Sequence, residues 1–276
     1  VRLPILEGPK LHKRNGYYYI FAPYGGVGEG PQAVLRSRDI YGPYETRTVL
    51  TKATADGQGP HQGGYVETRR GQGRFIHFNS TGAYGRIVHL QPVIWRDDWP
   101  VMGDQGQPVA SHPLPDVGGR YPPVFPQVDD EFTARTLGLQ WEWNHNPVDS
   151  HWSLTERTGF LRLKARRAAN LLSARTTLTQ VLQGRAVELT ARLALGAMQD
   201  GQRAGLAMFG RTPSWIGVAQ QDGKRHITLA AGGVETTDAI VPTDAVLLRM
   251  RVIEELVEYG YSLDEGRTFT ALGPRR

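Results

Sequence analysis

Apolar and polar residues alternate one for one through much of this chain, and no stretch sustains a three-and-four helical spacing. In the run 187–193 the apolar positions are Val187, Leu189, Ala191 and Leu193, with Glu188, Thr190 and Arg192 between them. Val246, Leu248, Met250 and Val252 repeat the pattern, with Arg249 and Arg251 directed the other way. A period of two places one set on each face of a strand, so the second half reads as an antiparallel sandwich with one buried and one wet face. Asp222-Gly223 and Glu265-Gly266 read as its tight turns. The first half reads as hairpins: Tyr17 to Ala22 follows the Asn15-Gly16 turn, and Ala33 to Ser37 makes another short strand. Phe75 to Phe78 and Ile87 to Leu90 are two more, joined by a turn at Gly82 to Gly85. Such strands suit propeller blades or a sandwich. Arg175 to Val181 could pass for a helix, but Thr176, Thr177 and Thr179 argue against one. The expected fold is all-β.

From Gln105 the alternation fades, and Pro108, Pro113, Pro115, Pro122, Pro123 and Pro126 punctuate the segment that follows. The expected division is residues 1–107, a Pro-rich linker at 108–127 that runs extended across a surface, and residues 128–276. A chain of 276 residues is long enough for two such cores. Its 33 Gly, 18 Pro and 25 aromatic residues (11 Tyr, 8 Phe, 6 Trp) fit turn-dense β structure. The formal net charge is +5, but Arg36, Arg38, Arg47, Arg69, Arg70, Arg162, Arg192 and Arg203 are scattered. Most alternate with apolar neighbours, as solvated strand faces do. The dense exceptions are Lys164 to Arg167 and Arg275-Arg276. A nucleic-acid footprint needs clustered charge, so no nucleic acid is expected. With no cysteine, thiol catalysis, disulfides and thiolate-held zinc are excluded. No His-Glu-x-x-His spacing occurs, and no run approaches the ~18 apolar residues of a membrane helix. No signal peptide is visible and the chain opens on Val, which leaves export open.

The residues that suggest chemistry each have two readings. Glu7, before Gly8-Pro9, is by itself a solvated turn residue as readily as a catalytic carboxylate. Arg86 could donate a parallel pair of hydrogen bonds to sugar hydroxyls, or be an ordinary hairpin arginine. His61 is a satisfied structural residue or a contact to a metal-bound water, since calcium prefers oxygen ligands. His77 and His89 lie mid-strand and read as core or blade-face residues. Trp141, Trp143 and Trp152 are sandwich core, or one of them stacks on a sugar. Asn144-His145-Asn146 offers polar groups to a ligand or ties down a loop.

Four segments, in order, carry a resemblance. They are Leu6-Glu7-Gly8-Pro9-Lys10-Leu11 with Tyr17 to Tyr19, Gly59-Pro60-His61-Gln62-Gly63-Gly64, the stretch Gly85 to Pro92, and Leu139 to Pro147 with Trp152-Ser153-Leu154. Together the chain resembles glycoside hydrolase family 43, in its β-xylosidase/α-L-arabinofuranosidase branch. The resemblance implies the C-terminal blades of a five-bladed β-propeller in 1–107, followed by a concanavalin A-like β-sandwich in 128–276. It implies Glu7 as general acid, Arg86 at the sugar subsite, and Trp141 or Trp143 as substrate contacts. His61 would face the propeller axis and reach a structural calcium through water. The implied partner is a xylo-oligosaccharide or arabinoxylan. A general acid needs a raised pKa, each unit being ~1.4 kcal/mol between protonation states, and an aromatic-walled cleft would supply it. The family also carries a base and a modulator aspartate upstream of the acid, whereas none of the six residues before Glu7 is acidic. The expectation is therefore a hydrolase fragment, truncated at both ends and inactive alone. The alternative is a non-catalytic carbohydrate-binding β-protein whose sandwich half acts as a lectin-like module. A structural or interaction domain is the third reading.

Overall fold

The computed structural model describes residues 2–28, 30–51 and 60–274. Gly59 of the Gly59–Gly64 segment and the Arg275-Arg276 pair lie outside the described residues. The chain forms two compact units, Val1–Pro123 and Val124–Arg276, which divide inside the Pro-rich segment. No α-helix occurs among the described residues; three single 3-10 turns do, at Gly82–Tyr84, Asp149–His151 and Leu171–Ser173.

In the first unit, Asn15 and Gly16 take φ of 49° and 74°, the left-handed pair that a two-residue hairpin requires. They join β1 (Lys10–Arg14) to β2 (Tyr17–Pro23) with Arg14 opposite Tyr17. β3 (Gln32–Ser37) and β4 (Glu45–Leu50) complete a four-stranded antiparallel sheet in chain order. β5 (His61–Glu67), β6 (Gly73–Ser80), β7 (Arg86–Arg96) and β8 (Trp99–Met102) form a second sheet of the same kind. Each is a propeller blade. β7 runs well past the expected Leu90 because its later residues pair with both neighbours, Val93 facing Gly73 on β6 and Met102 on β8. Tyr19, Phe21, Val34 and Leu50 of the first blade pack with Phe75, Val93 and Met102 of the second. Burying each such side chain contributes about 1.5–3 kcal/mol.

The Pro-rich segment is strapped to this unit by side chains that satisfy its backbone. Val109 N–H donates to Gln91 Oε1 at 2.8 Å, and Asp116 N–H donates to Gln72 Oε1 at 2.7 Å. Arg70 forms an ion pair with Asp116.

The second unit opens with two short ladders. β9 (Glu142–Trp143) pairs with β12 (Leu178–Thr179), and β10 (Trp152–Ser153) pairs with β11 (Arg162–Leu163). Eight further strands follow: β13 (Ala186–Ala194), β14 (Arg203–Met208), β15 (Ser214–Gln221), β16 (Lys224–Ala231), β17 (Val234–Ile240), β18 (Ala245–Ile253), β19 (Leu256–Ser262) and β20 (Thr270–Leu272). They make two four-stranded antiparallel sheets, ordered β13-β18-β19-β20 and β14-β15-β16-β17. Val246, Leu248, Met250 and Val252 are buried, as their spacing requires, against Ile216, Val218, Ile227 and Tyr259. This is the concanavalin A-like sandwich.

The scattered arginines do not all sit on solvated faces. Arg36 retains only 10% side-chain exposure, its guanidinium lying 4.6 Å from the Tyr17 ring and 4.3 Å from the Trp99 ring. Arg38 also covers Tyr17 and Arg47 covers Trp99, so the three cations and two rings form one stack.

Candidate active site

Glu7 sits at the entry to β1, where the backbone is held on both sides. Its N–H donates to the Pro23 carbonyl at the end of β2, and the Gly25 N–H donates to the Pro4 carbonyl. Gly8 has φ +54°, and a Cβ there would already touch Gln62 Cγ at 3.4 Å, so this bend suits glycine. Lys10 turns back and donates from Nζ to the Gly8 carbonyl at 3.0 Å. The Glu7 side chain remains 36% exposed.

His61 begins β5, and just after it the register against β6 slips between His61 and Gly64, with Gln62 at φ 42°. Bulges of this kind re-aim a side chain. The His61 ring is only 1% exposed, and its Nε2 lies 3.1 Å from Glu7 Oε1. Neither ring nitrogen has an aligned hydrogen bond, so the contact to Glu7 is a close electrostatic approach rather than a linear bond. Gly30 makes room for the ring: a Cβ there would stand 2.6 Å from His61 Nδ1. Burial pushes the His61 pKa down; Glu7 opposes that shift, while Arg86 and Lys10 add to it. His61 is therefore neutral at pH 7.

Arg86 opens β7 opposite Ser80. Its guanidinium lies 4.6 Å from the Phe78 ring centroid, and that ring meets His61 edge-on at 5.4 Å. Glu7, His61, Phe78 and Arg86 thus form one continuous cluster drawn from three strand starts and β6. The pattern of the sequence singled out Glu7, His61 and Arg86, but not Phe78, Gln62 or Gly30. The run Gly25-Gly26-Val27-Gly28 between two strands was the available signal for a close backbone approach at Gly30.

Calcium takes six to eight oxygen ligands. Among the described residues no three His, Asp or Glu side chains converge, and beside His61 there is the single carboxylate of Glu7. These residues do not by themselves make a calcium shell.

Trp141 and Trp143 belong to the second unit. Trp141 donates from Nε1 to Asp130 Oδ2 at 2.8 Å and stacks on Phe132 at 5.6 Å. Trp143 packs against Trp152 with ring centroids 5.3 Å apart. Asn144 and His145 both contact the Leu172 carbonyl at 3.0 Å, and Arg175 donates to the Asn146 carbonyl, so this polar run ties loops together.

Propeller blades followed by a concanavalin A-like sandwich make a two-domain all-β architecture, and the comparisons place it. Residues 1–100 match the model of glycosyl hydrolases family 43, and residues 129–275 match the beta-xylosidase C-terminal concanavalin A-like domain. The chain belongs to glycosyl hydrolase family 43. A beta-xylosidase homologue of Xylanibacter ruminicola is 45% identical over 225 residues, covering 79% of this chain and 42% of that protein. A beta-xylosidase of Formosa agariphila is 31% identical over 317 residues, covering 97% of this chain and 53% of that protein. In structure, a bifunctional GH43-CE protein of Bacteroides eggerthii aligns with TM-score 0.84 and 34% identity, over 98% of this chain and 36% of that chain. The chain thus spans about half the length of the curated relatives it matches.

Proposed function

We propose that Glu7 is the general acid of an inverting exo-glycosidase that releases xylose or arabinose from plant hemicellulose, and that residues 1–276 alone do not turn over substrate. The observation that carries this reading is the 3.1 Å approach of Glu7 Oε1 to the buried Nε2 of His61. A general acid must carry a proton and give it to the leaving oxygen. A neutral imidazole suits that cycle, because it brings no positive charge to stabilise the ionised carboxylate and so leaves the carboxyl able to hold a proton between turnovers. A charged imidazolium would instead hold Glu7 ionised. Arg86, braced on Phe78, can donate a planar pair of hydrogen bonds to sugar hydroxyls.

Inversion also needs a base carboxylate roughly 6.5–9.5 Å from the acid. Among the described residues, the charged groups acting on His61 are Glu7, Lys10 and Arg86, one carboxylate against two cations. The family resemblance puts the base aspartate upstream of the acid, so we assign it to the rest of the whole protein. The beta-xylosidase names of the relatives support the substrate class.

In the whole protein, Glu7→Gln is expected to lower kcat on xylobiose by ~10²–10⁴. The loss should be much smaller on dinitrophenyl glycosides, whose leaving group needs no proton. An unchanged kcat on xylobiose would remove Glu7 from the role. Release of nitrophenol from a nitrophenyl xyloside or arabinofuranoside by residues 1–276 would overturn the second half of the proposal.

A further inference from the structure

An open pocket lies wholly within the second unit, and no residue of the Glu7 cluster lines it. Its volume is about 410 Å3, within the ~300–1,000 Å3 range of small-molecule sites. Trp152 forms one wall, with Arg135, Asp149, Glu156 and Lys164 among its polar lining. The wall is braced rather than loose. Trp152 pairs with Leu163 across the β10–β11 ladder, and its ring packs on Trp143 at 5.3 Å. Its Nε1 is buried without a hydrogen-bond partner.

The polar lining is also preset. Ser153 Oγ accepts from the N–H groups of Thr155 and Glu156, both at 3.0 Å, which fixes the turn that presents Glu156. Lys164 Nζ lies 2.7 Å from one Glu156 oxygen, and Arg162 Nε lies 3.1 Å from the other without hydrogen-bond alignment. The hydrogen bond from Lys164, then the charges of Lys164 and Arg162, hold the Glu156 carboxyl below its ordinary range. It is therefore an acceptor at neutral pH.

We propose that this pocket is a glycan-binding site that takes a short run of neutral sugar rings. Sugars present an apolar C–H face and a rim of hydroxyls that both donate and accept. An indole wall meets the face. Asp149 and Glu156 accept from the hydroxyls, while Arg135 and Lys164 donate to them. The lining carries both signs, two carboxylates and two cations, so it can accept from and donate to the hydroxyls of one neutral ring. The claim concerns binding by the second unit and stands whether or not Glu7 is the acid.

The test is a titration of the ¹⁵N-labelled 276-residue chain with xylohexaose, followed at the tryptophan indole signals. One indole signal, absent from Trp152→Phe, should shift saturably with a Kd of ~1 mM or tighter. The rim variant Asp149→Ala/Lys164→Ala should weaken binding roughly tenfold at an unaltered Tm, which keeps the result readable if Trp152 variants unfold. Glu7→Gln should leave the Kd unchanged, separating this site from the proposed catalytic one. Absence of a saturable shift at about 10 mM ligand would overturn the proposal. So would shifts confined to the first unit, or a rim variant that binds like the parent.

Discussion

Arg36 donates to Glu45 at 2.8 Å and to the Asp97 carbonyl at 3.0 Å while its guanidinium lies between the Tyr17 and Trp99 rings. Removing it leaves two aromatic faces and a carbonyl without their partner. Arg36→Ala is expected to lower the stability of the first unit by about 2 kcal/mol, read as a urea midpoint shift. Alternation alone marked Arg36 as solvent-facing, because period two reports which side of a strand a residue takes and not what a distant hairpin lays over it. His77 takes the core place that its mid-strand position allowed. It is 3% exposed, stacks on His89 at 5.3 Å, and faces Gln91. Burial, with a smaller push from His89, takes its pKa down to about 4. The fold therefore prefers neutral His77, whereas the unfolded chain takes up a proton near pH 6.5. Stability is full above pH 6.5 and falls as pH drops from 6.5 through about 4, by on the order of 3 kcal/mol. Urea unfolding across that window should show the slope, and His77→Leu should reduce it.

Among the elements, the turn between β19 and β20 is stabilised by one carboxylate. Asp264 accepts from Ser262 Oγ at 2.7 Å, from Thr268 N–H at 2.9 Å and from Thr268 Oγ1 at 2.6 Å. These bonds, the one from Ser262 foremost, pull its pKa from 3.8 to about 2. A depressed carboxylate stabilises above its unfolded pKa, so this contribution is present above pH 3.8 and is lost as pH falls through about 2. Asp264→Ala should loosen β20 against β19, seen as faster hydrogen exchange at Thr270 to Leu272 and little change at β18. Elements were readable where pattern and turn chemistry agreed, as at β2, β13 and β18. β4 and β8 went unread because their burial comes from pairing at a blade's edge rather than from clean alternation.

At the scale of the whole molecule, each unit has its own core, but the first also presents an apolar sheet face. Ile76, Val88, Leu90 and Ile94 share one side of β6 and β7, and they are 44%, 67%, 41% and 48% exposed. Contiguous apolar surface of this kind drives association. The 276-residue chain should therefore show concentration-dependent self-association in sedimentation velocity, and Ile76→Lys/Val88→Lys should suppress it. A monodisperse monomer at all concentrations would contradict this expectation.

By itself the sequence determined the all-β class, the hairpin at Asn15-Gly16, the alternating core of the sandwich and the family motifs around Glu7, His61, Arg86 and Trp141. Each of these rests on neighbours in the chain: a turn dipeptide, a period of two, or a short run of residues. Only the tertiary structure decided that His61 lies buried 3.1 Å from Glu7, that Phe78 links it to Arg86, and that Trp152 borders an open pocket. Those relations depend on strand register, a bulge at Gln62 and the close approach of Gly30. All three are set by packing between segments far apart in the chain, which local pattern does not encode.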